Sequence, residues 1–199
     1  MNSDIYYHIY NRGAHKADVF LDGSDYLRML KLLYIANNEE PFVMSKLPNN
    51  IYLLERSKPL VDIVAYCLMP NHIHIALKKR SPNQKDTSDP VTKFIHKLMT
   101  GYSAYFNIKY RHSGTLWQGP YKHKTAYDDL YIKTLINYIH LNPRGIREAQ
   151  VSKQGNQVDD KEMIEYAMNY EYSSIKDYLG TIRQQSAILN PAEIARFLT

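Results

Sequence analysis

Residues 61–79 read Val61-Asp62-Ile63-Val64-Ala65-Tyr66-Cys67-Leu68, then Met69-Pro70-Asn71, then His72-Ile73-His74-Ile75-Ala76-Leu77-Lys78-Lys79. The first run is apolar and rich in β-branched residues, the middle is turn chemistry, and the last alternates. Two strands joined by a tight turn make a hairpin. Alternate side chains of a strand share a face, so Ile73, Ile75 and Leu77 point one way and His72 and His74 the other. The apolar face belongs on a core, and the two imidazoles point away from it together. Two imidazoles in register on a rigid strand supply half of a metal site, and they fit a solvent-facing pair as well.

Outward from the hairpin, Ile5 to Asn11 is aromatic and β-branched and reads as a strand ended by Arg12-Gly13. Ser24 is the expected cap of a helix carrying Tyr26, Met29, Leu30 and Leu33 on one side. Residues 38–59, with Pro41, Pro48 and two Asn-Asn pairs, read as an irregular connection holding a short strand at Ile51 to Leu54. Residues 81–90 are polar and loop-like. Asp89-Pro90 opens a long helix whose stripe is Val91, Phe94, Ile95, Leu98, Tyr102 and Tyr105. Trp117 to Thr125 can hold another strand. Asp128 or Asp129 caps a third helix that Pro143 stops. The order β-α-β-β-α-β-α with hairpin-linked strands implies an α+β sandwich on an antiparallel sheet. Residues 1–149 form the domain, and 150–199 a polar linker and C-terminal helical extension.

The third helix has two sides. Ile132, Leu135, Ile136 and Ile139 form its apolar stripe, and Tyr138 lies roughly 110° from the stripe's centre. Asn142 stacks above Tyr138 one turn on, with Tyr131 and Thr134 on the same flank. Lys133 and His140 fall on the opposite flank. Tyr138 reads either as an amphipathic residue at a helix border or as a nucleophile. A phenol is mostly protonated at pH 7, so a nucleophilic role needs a target made electrophilic, as a metal ion makes a phosphate.

The chain has 199 residues, 44% hydrophobic and 23% charged, which excludes wholesale disorder. Its single cysteine, Cys67, excludes an intrachain disulfide or a thiolate zinc cluster and fits a reducing compartment. Met1-Asn2-Ser3-Asp4 does not open a signal peptide, and no apolar run is long enough to span a bilayer, so a cytoplasmic location without membrane contact is expected. Net charge is +5. Between Val91 and Thr125 lie Lys93, Lys97, Lys109, Arg111, Lys122 and Lys124 and no acid, so this segment carries +6 and the remainder −1. The same segment holds Tyr102, Tyr105, Phe106, Tyr110, Trp117 and Tyr121. Cations interleaved with aromatics suit single-stranded nucleic acid, and suit equally a solvated helix face above a tyrosine-rich core.

Ordered blocks now carry a resemblance. They are Tyr7-His8-Ile9-Tyr10-Asn11-Arg12-Gly13, Val19-Phe20-Leu21-Asp22, Tyr66 to His74, Tyr105-Phe106-Asn107, Ser113 to Gly119 and Tyr138-Ile139-His140-Leu141-Asn142-Pro143. Tyr172-Ser173-Ser174 and Tyr178-Leu179-Gly180 add a tail element. The set resembles the single-tyrosine HUH transposases of the small insertion-sequence type, and most of all the REP-associated tyrosine transposases. The resemblance implies a ferredoxin-like sandwich of the HUH endonuclease type. It implies that His72, His74 and Asn142 bind Mg²⁺ or Mn²⁺, and that Tyr138 forms a 5′-phosphotyrosine with hairpin-bearing single-stranded DNA. Imidazole ligands make Mn²⁺ at least as suitable as Mg²⁺. Asn11, Arg12, Lys93, Lys97, Arg111, Trp117, Lys122 and Lys124 are the expected DNA contacts, and relatives act as monomers or as homodimers with exchanged tyrosines. Pro120 departs from the pattern, because a basic residue usually follows Trp-Gln-Gly in this family; Lys122 can stand in for it. Three rivals remain: a domesticated hairpin-binding regulator without cleavage, a non-catalytic nucleic-acid-binding module, and a zinc hydrolase, for which no His-Glu-x-x-His helix is present.

Overall fold

The computed structural model describes residues 4–56, 58–80, 88–153 and 159–198. Four strands, β1 (Tyr6–Arg12), β2 (Val61–Met69), β3 (His72–Lys79) and β4 (Lys122–Ala126), form one antiparallel sheet in the order β2-β3-β1-β4. The helices α1 (Gly23–Ile35) and α2 (Pro90–Tyr110) make the two crossovers, and α3 (Asp129–Leu141) follows β4. This is the expected ferredoxin-like α+β architecture.

Both sheet faces are covered, which explains why β2 is buried along nearly its whole length. On one face Ile9, Ile73, Ile75 and Leu77 pack with Met29, Leu30 and Leu33 of α1 and Phe94, Leu98 and Tyr102 of α2. On the other, Tyr6, Cys67, Met69, Ala76 and Ala126 receive Ile132, Leu135, Ile136 and Ile139, the stripe of α3. A β-bulge between Ile63 and Ala65 turns both Val64 and Ala65 to the α3 side.

Four local readings need correction. The cap of α1 is Asp22, not Ser24: the Asp22 carboxylate accepts from the Ser24 and Asp25 amides, and Asp25 accepts in return from the Asp22 amide. Ile51–Leu53 is a 3-10 turn, not a strand, because the Asn50 side chain captures the Tyr52 amide while Ile51 drops into the core. Pro143 ends α3, but its own fixed φ opens a further helix, α4 (Arg144–Ser152), so position 149/150 lies inside a helix. The strand expected from Trp117 begins only at Lys122. Residues 81–87 of the expected loop and 154–158 of the expected linker lie outside the described residues.

The C-terminal residues form α5 (Asp160–Asn169), α6 (Ile175–Tyr178) and α7 (Pro191–Leu198). They close the open edge of β2. The Leu68 amide donates to the Tyr172 carbonyl, the Ser174 amide to the Tyr66 carbonyl and the Asn190 amide to the Ile63 carbonyl. Phe197 packs edge-on against Tyr6, whose hydroxyl donates to Glu193. Among the described residues, no helix is long and apolar enough to cross a membrane.

Candidate active site

Strand pairing assembles the site. On the α3 side of the sheet, Tyr10 lies opposite His74 and Arg12 opposite His72 across the β1–β3 ladder. Across the β1–β4 ladder, Tyr10 faces Lys122 and His8 faces Lys124. The stripe of α3 covers only part of this face. Its polar flank, Tyr131, Thr134 and Tyr138, stands over the remainder, and a cleft of about 760 Å³ opens between helix and sheet. His8, Arg12, His72, His74, Lys122 and Lys124 line the cleft floor, with Pro120 and Gln118 at its side. The exposed Tyr138 presents its ring to the edges of His74 and His8, with centroids 5.5 and 5.9 Å away.

His72 is held from both sides. Its Nδ1 lies 2.6 Å from the Asn71 Oδ1, and Asn71 is turned that way because its own Nδ2 donates to the Lys16 carbonyl. Its Nε2 lies 3.4 Å from the Asn142 Oδ1, and the Asn142 Nδ2 donates to the Tyr138 carbonyl. Both amide oxygens therefore face the imidazole. Burial, with the Arg12 charge nearby, holds His72 below its ordinary pKa against the opposing pull of Asn142, so the ring is neutral at pH 7. A neutral imidazole has one proton, and Nε2 is left bare when that proton sits on Nδ1, toward Asn71. Nε2 is then a bare lone pair facing a carbonyl-type oxygen, two acceptors with no hydrogen between them. A divalent cation fits such a gap. The donor set of two imidazoles and one amide oxygen suits Mn²⁺ or Mg²⁺ with water or phosphate oxygens completing the shell. Among the described residues, no three His, Cys, Asp or Glu side chains are grouped to hold a metal. A divalent ion held at these histidines would need the amide of Asn142 and outside oxygens to complete its shell.

His74 is buried and pushed down to about 3, by desolvation first and then by the charges of His72, His8 and Arg12. His8 is pushed down to about 4 by burial and by Lys124. Both are neutral at pH 7 and keep a lone pair for a ligand or a partner.

The expected DNA contacts divide. Asn11, Arg12, Lys122 and Lys124 line the cleft, though the buried Asn11 spends its amide on the Gly119 carbonyl and its own neighbour's amide. Lys93, Lys97 and Arg111 belong to α2 or its end, on the opposite face of the sheet. Lys97 Nζ donates to the Asn38 and Glu40 carbonyls and ties down a loop. Arg111 is the left-handed C-cap of α2. Trp117 is a core residue whose Nε1 donates to Ser103. Lys122 lines the cleft beside Pro120. His8 and Tyr10 are site residues that motif reading alone did not single out. The signal was available, since Tyr6, His8, Tyr10 and Arg12 alternate along one strand and must share a face.

Fold and site together define a ferredoxin-like α+β protein with a histidine–tyrosine cleft on one sheet face. Residues 51–142, which include β2, β3, β4 and the whole of α3, match the model of the family described as transposase IS200 like. The chain is also similar in fold to the solved structure of a REP-associated tyrosine transposase bound to a REP hairpin. The TM-score is 0.51 at 11% identity, over 93% of this chain and 86% of that one. No curated protein matches the chain.

Proposed function

We propose that the protein is a metal-dependent single-stranded DNA endonuclease and strand transferase that acts at hairpin-flanked sites through Tyr138. The observation that carries this reading is the position of Tyr138, exposed at the cleft and edge-on to His74, beside the acceptor pair of His72 and Asn142. Arg12, Lys122 and Lys124 supply positive charge where a DNA backbone would lie. His72, His74 and Asn142 would hold the divalent ion, which withdraws charge from the scissile phosphate when bound. The Tyr138 oxygen attacks phosphorus, the bond from phosphorus to the 3′ oxygen breaks, and the phenol proton passes to solvent as the 3′-hydroxyl forms. The product is a 5′-phosphotyrosine. A 3′-hydroxyl, from the same or another strand, reverses the step and rejoins DNA, so no nucleotide cofactor is consumed. The transposase IS200 like match and the hairpin bound to the structural relative support the DNA class.

The test is an adduct assay. Labelled single-stranded oligonucleotides with hairpins from the gene's own flanks are incubated with the protein and Mn²⁺, with EDTA, and with Tyr138→Phe. The expected result is label on the protein in a denaturing gel, lost with EDTA and with Tyr138→Phe. An adduct that survives Tyr138→Phe moves the nucleophile, to Tyr131 first. Tight hairpin binding with no adduct under any condition establishes the domesticated regulator instead.

A further inference from the structure

We propose that His8 is a positioning residue for His74: it accepts the Nδ1 proton of His74 and so keeps the Nε2 of His74 bare for a divalent cation. The inference rests on the metal site proposed above and adds a residue that the motif pattern of that site does not contain.

His8 Nε2 and His74 Nδ1 lie 2.9 Å apart. The rings are nearly parallel, with centroids 5.1 Å apart and an interplanar angle of 24°. Both side chains are buried, at 7% and 6% exposure, so the contact is shielded from competing water. Two nitrogens at this distance share one proton, which leaves two arrangements. If His8 donates, the neutral His74 carries its remaining proton on Nε2 and that nitrogen cannot ligate. If His74 donates, its Nε2 is a free lone pair. Only the second arrangement lets His74 act beside His72.

His72 is anchored in the same manner. Its Nδ1 is taken by Asn71, leaving Nε2 toward Asn142. Both imidazoles of the strand are thus gripped through Nδ1 by a side chain behind them. The hydrogen bond on the far nitrogen of a ligating histidine sets its tautomer and ring orientation, and losing such a partner typically weakens metal binding by about 10- to 100-fold. Tyr10, whose ring lies 5.0 Å from that of His8, and Tyr138, edge-on at 5.9 Å, also pack against the His8 ring.

Two readouts test this without any cleavage assay. The first is long-range proton–nitrogen NMR of the imidazoles in the metal-free full-length protein at pH 7. The expected spectrum has His74 protonated on Nδ1 and bare on Nε2. A His74 protonated on Nε2 overturns the proposal whatever the protein does with metal. The second is the Mn²⁺ affinity, from the electron paramagnetic resonance of free Mn²⁺, for wild type, His8→Phe, His8→Gln and His72→Ala, each checked for a folded thermal transition. His8→Phe should bind about 10- to 100-fold more weakly, while His8→Gln, whose Oε1 accepts the same proton, should keep most of the affinity. Wild-type affinity in His8→Phe overturns the positioning role and leaves the metal site standing. Wild-type protein that binds no better than His72→Ala overturns the metal site itself, and the His8 role with it.

Discussion

His72 and Asn142 are 70 residues apart in the chain and meet across 3.4 Å through Nε2 and Oδ1, two atoms that can only accept while Asn71 holds the ring's proton. The loop end that carries Asn71 and the helix end that carries Asn142 thus converge on one imidazole. Charge on the oxygen should control cation affinity here. Asn142→Asp is expected to tighten Mn²⁺ binding by about tenfold or more, since a full charge replaces a dipole beside a divalent ion. Asn142→Leu should weaken it. Calorimetric titration with Mn²⁺ checks the order, and equal affinities for all three proteins would remove Asn142 from the shell.

The basic residues should separate by salt dependence. Lys122→Ala and Lys124→Ala each remove a cleft cation, and each should lower the slope of log affinity for a single-stranded hairpin oligonucleotide against log salt by about 0.7. Lys97→Ala should leave that slope unchanged, because its ammonium is committed to the Asn38 and Glu40 carbonyls. Fluorescence anisotropy at several salt concentrations reads the slopes.

Trp117 belongs to the stability side of the ledger. Trp117→Ala is expected to cost roughly 3–5 kcal/mol in urea unfolding, as the loss of a buried indole does elsewhere. A stable Trp117→Ala protein with weakened DNA binding would return the residue to the interface.

Acid should unfold the protein earlier than its carboxylates require. His8 at about 4, His74 at about 3 and His140 at about 3 all lie below the ordinary value of 6.5, chiefly through burial. His140 is buried with its Nε2 on Ser174, away from the cleft. The unfolded chain therefore binds more protons than the fold, and stability rises with pH in that window. The contribution is complete above pH 6.5 and is lost as pH falls toward 4. Each histidine contributes a slope of about 1.4 kcal/mol per pH unit where the unfolded chain is protonated and the fold is not. Urea unfolding in EDTA between pH 7 and pH 4.5 measures it. A flat profile would mean that these imidazoles are already charged in the fold.

The C-terminal helix should behave as part of the core. Phe197→Ala removes the ring packed on Tyr6 and is expected to cost roughly 3 kcal/mol in the same assay. DNA affinity per folded molecule should stay at the wild-type level, because Phe197 does not line the cleft.

The hairpin of β2 and β3, the two crossover helices and the two-sided character of α3 were legible because periodicity is a local property. His72-Ile73-His74 alternates, and Tyr138 and Asn142 are one helical turn apart, whatever the rest of the chain does. Capping was less legible. Asp22, Ser24 and Asp25 are all competent caps, and only the reciprocal hydrogen bonds of Asp22 and Asp25 select one. The basic segment divides between two faces for a related reason. Charge along the chain does not say on which side of a sheet it emerges, so Lys97 and Lys124 looked alike until α2 and β4 were placed.

By itself the sequence determined which residues share a face: His72 with His74, Tyr138 with Asn142, and, for a reader who looked, His8 with Tyr10 and Arg12. Only the tertiary structure decided which faces meet. The register that sets Tyr10 opposite His74 brings His8 to 2.9 Å from that ring, and the seating of α3 on Ala76 and Ala126 brings Asn142 to His72. Side-chain period is a consequence of backbone geometry and is written locally. Register and docking are settled by burial of apolar surface contributed from the whole chain, and no single segment contains that information.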